Sequence, residues 1–245
     1  MNMKNLSLLV ILCALFITSI QGNAQAALLG LIFGDKIASE DFNLSLEFGV
    51  NYSGITNFQT HQRAIETNFG MAGNIKLSDK YYLSPTVFFS SGRKLKLSNY
   101  SLNSGNSSLD QEFIDQKAEI TLDYIDVNIP LFYQINKFRV GVAPQVSFLK
   151  DADLKIDNDF GVFDYDMKHQ VNNLDYGLLS ILSYELGTAR KGKGLFLQFR
   201  YYQGFGDIFK APVSTNNRNN YFSLHLSLPF ISEELAKNKL ESHKN

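Results

Sequence analysis

Phe42-Asn43-Leu44-Ser45-Leu46-Glu47-Phe48-Gly49-Val50-Asn51-Tyr52 alternates apolar and polar residues without a break. A period of two places Phe42, Leu44, Leu46, Phe48, Val50 and Tyr52 on one face of a β-strand and the polar and small residues on the other. Seven further stretches repeat the pattern, over 69–77, 81–97, 118–133, 138–148, 174–186, 195–201 and 222–230. The segments joining these eight stretches are long and short by turns. The pattern predicts an all-β fold, an eight-stranded antiparallel up-and-down transmembrane β-barrel. Its apolar side chains would face lipid and its polar ones the lumen.

The connections support the same reading. Ser78-Asp79-Lys80, Asn136-Lys137 and Thr188–Gly194 are short, whereas the Asn/Ser/Gly-rich run from Asn99 to Gln116 and the acidic run from Lys150 to Asn173 read as long loops. Outer-membrane barrels have short periplasmic turns and long external loops, and an even strand number returns both termini to the periplasm. A soluble lipocalin-like barrel also alternates, but its outward face would be the polar one. The chain has no Trp but 12 Tyr and 20 Phe, which suit strands and aromatic girdles at the two membrane interfaces.

The N-terminus reads as a processing signal. Lys4 precedes an apolar run from Leu6 to Ile20, and Ala24-Gln25-Ala26 gives a small-x-small site, so residues 1–26 are expected to be a signal peptide cleaved between Ala26 and Ala27. The apolar run is too short for a membrane-spanning helix, which needs about 20 residues. Cys13, the only cysteine, follows Leu9-Val10-Ile11-Leu12 rather than the small residues of a lipoprotein signal. Its removal would leave no disulfide, thiol nucleophile or thiolate metal site. Net charge is −1, and −2 once Lys4 is removed, which argues against nucleic acid as a partner. Residues 27–41 are then a periplasmic lead-in, 42–230 the barrel and 231–245 a charged periplasmic tail. The tail carries Glu233 and Glu234 early and Lys237 and Lys239 later.

Two irregularities interrupt the pattern. In 118–133 the phase slips: Ile120, Leu122 and Tyr124 share one parity while Ile125, Val127, Ile129 and Leu131 share the other, which a β-bulge near Tyr124 would explain. Pro85, Pro130 and Pro144 fall inside strands, where each removes a ladder donor, so bulges or local breaks are expected there. Leu95 and Leu97 continue the outward set of 81–97, with Lys94 and Lys96 on the opposite face.

Several stretches resemble the PorT-type outer-membrane β-barrel proteins. They are Leu28-Leu29-Gly30-Leu31-Ile32-Phe33-Gly34-Asp35-Lys36, Leu46-Glu47-Phe48-Gly49-Val50-Asn51, Ile129-Pro130-Leu131 and Arg200-Tyr201-Tyr202-Gln203-Gly204. The resemblance covers nearly the whole mature chain. It implies an eight-stranded barrel in the outer membrane of a Gram-negative cell and a link to protein secretion, with no catalytic motif. The residues that follow Phe230 depart from barrels that end on their last aromatic residue.

The inward parity gives a lumen network of Glu47, Lys76, Asp126, Arg139, Asp175, Glu185, Arg200 and His225. Both signs are represented, and an eight-stranded barrel is just wide enough for side chains to fill. A salt-bridged plug is therefore expected, with a narrow solute channel as the alternative. Asp151, Asp153, Asp157, Asp159, Asp164 and Asp166 lack the ordered Asp-x-Asp-x-Asp-Gly pattern of a calcium loop and read as a solvated loop. His225-Leu226-Ser227 resembles the His-x-Ser pair of lipid A deacylases, but its parity points both residues inward, away from lipid. The expectation is a non-enzymatic barrel without metal or cofactor, structural or an accessory subunit in the envelope. Its expected partners are outer-membrane lipid and lipopolysaccharide, the barrel-assembly machinery and an envelope protein.

Overall fold

The computed structural model describes residues 38–39, 41–58, 61–101, 114, 116–158, 161–189, 193–210 and 216–230. The Ala26/Ala27 junction, nearly all of the lead-in and the tail 231–245 lie outside the described residues. Eleven strands follow in order: β1 (Phe42–Thr56), β2 (His61–Lys76), β3 (Tyr81–Leu83), β4 (Thr86–Tyr100), β5 (Gln116–Asn128), β6 (Leu131–Ile135), β7 (Phe138–Asn158), β8 (Gly161–Asp166), β9 (Leu174–Ala189), β10 (Lys193–Gly204) and β11 (Arg218–Pro229). β3 and β4 are one wall strand interrupted at Ser84-Pro85, and β5 and β6 another interrupted at Ile129-Pro130. The wall thus has eight members. Each pairs antiparallel with its chain neighbour, and β11 pairs back onto β1 from Ser45–Pro229 to Thr56–Arg218, which closes the ring. β8 stands outside the ring on β7.

The three prolines share one break. Thr86–Asn128 and Leu83–Leu131 bracket Ser84-Pro85 against Ile129-Pro130, and Asn128–Gln145 and Leu131–Val142 place Pro144 at the same height on β7. The Ser84 N–H donates to the Pro130 carbonyl at 2.9 Å and the Gly73 N–H to the Pro85 carbonyl at 2.9 Å, which carries the ladder across the gap. A closed barrel has no edge on which to place a residue without an N–H. Here the three missing donors coincide on adjacent strands.

The phase slip has a different origin from the one expected. β5 keeps one parity inward throughout: Ala118, Ile120, Leu122, Tyr124, Asp126 and Asn128 are all buried. Register does shift between Asp123 and Tyr124 against β7, and between Phe88 and Ser91 against β4. The extra residues therefore sit on the neighbours, at Phe89-Ser90 of β4 and at Lys150 of β7, and they switch which parity of those strands points inward. Leu95 and Leu97 consequently face inward, each 2% exposed, rather than outward. What changes along β5 is the chemistry of the interior, polar below Tyr124 and apolar above it.

The barrel therefore has two storeys. In the lower one the exterior is apolar: Val50, Leu131, Val140, Val142, Leu178, Leu182, Leu224 and Leu226 are exposed on its outer face. This band lies between exposed aromatic rings at the short-turn end, including Tyr81, Tyr133 and Phe138, and at the long-connection end, including Tyr52, Phe148, Tyr176 and Phe222. Phe138 and Phe148 are ten residue steps apart on one tilted strand, about 25 Å along the barrel axis, which matches the apolar band of a membrane barrel. In the upper storey the arrangement inverts. Lys94 pairs outside with Glu66 (2.6 Å), Lys96 with Glu119 (3.3 Å) and Lys150 with Asp123 (3.0 Å), while Leu95, Leu97, Ile120, Leu122, Leu154 and Ile156 pack inside. The acidic stretch after Lys150, expected as a loop, is instead a hairpin, because β7 runs on to Asn158 and β8 pairs back along it.

Candidate functional site

The lumen is built by the inward residues of all eight wall strands. At its upper level Arg93 of β4 is 2% exposed. Its guanidinium bonds Asp126 at 2.9 Å, Asp175 at 3.2 Å and the Ser147 hydroxyl at 2.9 Å. Tyr124, Tyr202 and Tyr221 surround it, with ring centroids 4.1, 5.4 and 5.2 Å from the guanidinium carbon. Asn219 donates to Asp175 at 3.0 Å, and Gln145 bonds Tyr221 at 2.9 Å and Ser147 at 3.2 Å. A planar, permanently charged guanidinium suits this position because it satisfies two carboxylates and stacks on aromatic faces at once.

Lower in the lumen Arg200 of β10 meets Glu47 of β1 at 3.3 Å, with Gln198 accepting from Arg200 Nε at 2.9 Å and Ser45 donating to Glu47 at 2.8 Å. His225 sits beside this pair. Its Nε2 lies 3.1 Å from Asn68 Nδ2, and the Phe88 ring meets it edge-on at 5.1 Å. Nearest the short turns, Arg139 stacks between Tyr82 (4.2 Å) and Phe196 (4.3 Å) and donates to Gln134 at 3.1 Å. Between these charged groups Phe132, Ala143, Leu179, Ile181, Tyr202 and Tyr221 form an apolar layer. Leu179 and Ile181 account for the weak alternation of β9, where apolar residues occupy both faces.

Glu47, Asp126, Arg139, Asp175, Arg200 and His225 are thus gathered into the interior. Glu185 shares that face of β9, opposite Phe196 near the short-turn end. Lys76 stands apart from the buried network, at the rim, where its ammonium bonds Asp79 at 2.8 Å. That bond holds the carboxyl of Asp79, in the turn, below its ordinary range. The sequence reading missed Arg93, the centre of the upper network. It has the same parity as Leu95 and Leu97, which the alternation of 81–97 puts outward; the signal for its placement is the Phe89-Ser90 bulge, which sequence alone does not reveal. His225 and Ser227 are 2% and 4% exposed and face the lumen, so neither reaches the lipid-facing surface.

Above Arg93 the interior is apolar. The apolar upper storey is completed from the far wall by Ile55, Met167, Val171, Ile208 and Phe209, with Phe58 stacked on Phe209 at 4.8 Å. The covering segments are pinned by their backbones: Val171 bridges Phe209, the Asn172 N–H donates to the Ile208 carbonyl at 2.7 Å, and the Lys210 N–H donates to the Gln170 carbonyl at 2.8 Å. The buried Asn217 carboxamide accepts from the N–H groups of Ile208 and Phe209 at 2.9 and 2.8 Å. Among the described residues the polar network and the apolar cluster are thus stacked one above the other inside the barrel. Among the described residues no group of three or more His, Cys, Asp or Glu is placed to hold a metal ion.

Residues 23–210 match the family model described as outer membrane protein beta-barrel domain. No curated protein matches the chain. Among solved structures the chain is similar to Ail, the attachment invasion locus protein of Yersinia pestis, at 8% identity and a TM-score of 0.42 over 78% of this chain and 100% of that one. It is similar to Neisserial surface protein A at 11% identity and 0.42 over 77% and 99%. The outer membrane protein OprG of Pseudomonas aeruginosa gives 12% and 0.36 over 77% and 93%.

Proposed function

The chain belongs to the outer membrane protein beta-barrel domain family, and from that premise we propose that it is a sealed, non-enzymatic barrel which acts through what it presents beyond the membrane. The observation that carries this reading is what packs inside the ring: the buried Arg93 network below and the apolar cluster from Leu95 to Phe209 above. An eight-stranded barrel has room for side chains and little else, and here Arg93 pairs with Asp126 and Asp175 and Arg200 with Glu47. In this reading residues 1–26 are a signal peptide, the short turns and both termini lie in the periplasm, and the capped end faces outward. Lipid and lipopolysaccharide contact the apolar band, and an envelope or external protein is the partner. The finer resemblance to PorT-type barrels, whose motif Arg200-Tyr201-Tyr202-Gln203-Gly204 supplies two lumen residues, supports an accessory role in an envelope complex.

Reconstitution of the folded barrel in planar bilayers tests the reading. The expected record is a silent bilayer at all holding potentials, even after Arg93→Met. Stable unitary conductance from the unmodified chain would establish the channel alternative and overturn the plug.

A further inference from the structure

β8 carries features that the plug and cap do not use. Among the described residues it pairs with β7 alone, so its other edge is open. The Met167 N–H donates to the Ala152 carbonyl at 2.8 Å, and alternation along an antiparallel ladder then bonds Tyr165 to Leu154 and Phe163 to Ile156. The N–H and C=O groups of Val162, Asp164 and Asp166 therefore point away from β7, toward the open edge.

The two faces of this hairpin differ. Leu154 and Ile156 are buried in the cap at 1% and 3% exposure, and their partners Tyr165 and Phe163 continue that apolar face to positions 50% and 44% exposed. On the opposite face Asp153 pairs Asp166, Lys155 pairs Asp164 and Asp157 pairs Val162, which sets four carboxylates against one ammonium. Lys155 reaches Asp164 only at 3.8 Å. Partial burial, with Asp151, Asp164 and Asp166 close by, pushes the Asp153 carboxyl above its ordinary range, as expected where negative charge is in excess. Edge strands are usually shielded by charge, and these carboxylates would shield β8 from a second copy, whose Asp164 and Asp166 would meet their own kind. They would not repel a cationic strand.

We propose that the open edge of β8 docks an extended segment of a protein partner, added as a strand, that alternates apolar residues with lysine or arginine. Its apolar side chains lie beside Phe163 and Tyr165, its cations lie beside Asp164 and Asp166, and its backbone meets the outward groups of Val162, Asp164 and Asp166. Main-chain pairing of this kind supplies affinity and the alternating side chains supply selectivity. The proposal rests on the reading that the capped end is the working surface. Bilayer conductance tests that reading separately, so the two can fail independently.

The test uses the folded full chain in detergent micelles and fluorescent octapeptides that alternate Lys with Val or Glu with Val. The Lys-Val peptide is expected to bind and the Glu-Val peptide to bind at least about tenfold more weakly. Val162→Pro removes an outward N–H without touching the β7 ladder and should weaken Lys-Val binding by about tenfold or more. Paired Asp164→Asn and Asp166→Asn substitutions should weaken it as well and flatten its salt dependence. Retained heat-modifiable gel mobility identifies variants that are still folded. Equal binding of the two peptides, no binding of the Lys-Val peptide, or full binding by the Val162→Pro chain would each overturn the proposal. So would a dimer in sedimentation that Val162→Pro dissolves, which would assign the edge to a second copy.

Discussion

Arg93 shows what one residue does for this interior. A guanidinium and two carboxylates taken from water incur a desolvation penalty that only tight pairing offsets, and removing one partner leaves the others buried without compensation. Arg93→Met strands Asp126 and Asp175 among three tyrosine rings and should destabilise the folded barrel by about 3–5 kcal/mol, read from urea unfolding in lipid. Adding Asp126→Asn and Asp175→Asn to the same chain should recover part of that loss, because the stranded charges are then gone. A single Arg93→Met chain as stable as the parent would show that the network contributes nothing. Glu47, Asp126, Asp175 and Arg200 were readable from parity alone, since their strands keep phase through the lower storey. Arg93 was not readable, because a bulge that sets Phe89 and Ser90 opposite the single residue Ile125, a net insertion of one, reverses its face and leaves no compositional mark.

At the scale of elements, the alternation of β1, lower β7 and β11 is nearly complete, and it fixed the number of wall strands. It failed where a face changes chemistry rather than direction. Along β5 the inward residues pass from Ile120 and Leu122 to Asp126 and Asn128, and a reader who equates apolar with outward must infer a slip that is not in that strand. The hairpin of β7 and β8 was hidden for a related reason: its carboxylates resemble a loop, although Leu154 and Ile156 alternate with them. Close strand contact is likewise visible only in three dimensions. A Cβ on Gly177 of β9 would lie 2.1 Å from the Gln203 carbonyl oxygen of β10, whereas one on Gly73 of β2 would meet the Phe42 ring at 3.6 Å. Gly177→Ala should therefore push β9 from β10 and destabilise the barrel by about 1–3 kcal/mol, while Gly73→Ala should stay within about 0.5 kcal/mol of the parent. Urea midpoints of the two refolded chains, compared side by side, decide this. Equal midpoints would mean that the wall yields at Gly177 without loss.

For the whole molecule, the inversion between storeys separates two solvents. The lower storey is apolar outside because it meets lipid, and its interior must satisfy its own polar groups. The upper storey meets water, so its carboxylates and ammonium groups move outside and its aliphatic side chains move in. That upper core is held by ordinary hydrophobic burial, about 1.5–3 kcal/mol for each fully buried large side chain. The lower one is held by the ring of strand pairing within the membrane. The two should therefore respond separately to damage. Phe209 is 1% exposed, stacks on Phe58 and carries the bridge to Val171. Phe209→Ala removes a side chain whose truncation in a packed core costs about 3–5 kcal/mol, and that loss should fall on the cap. Limited proteolysis of the reconstituted chain should then cut the segments around 167–171 and 205–210 much faster than in the parent. The lower barrel should keep its heat-modifiable mobility and its resistance to urea. Loss of the barrel together with the cap would show instead that the storeys fold as one cooperative unit, because damage confined to water would then have dissolved the wall in lipid.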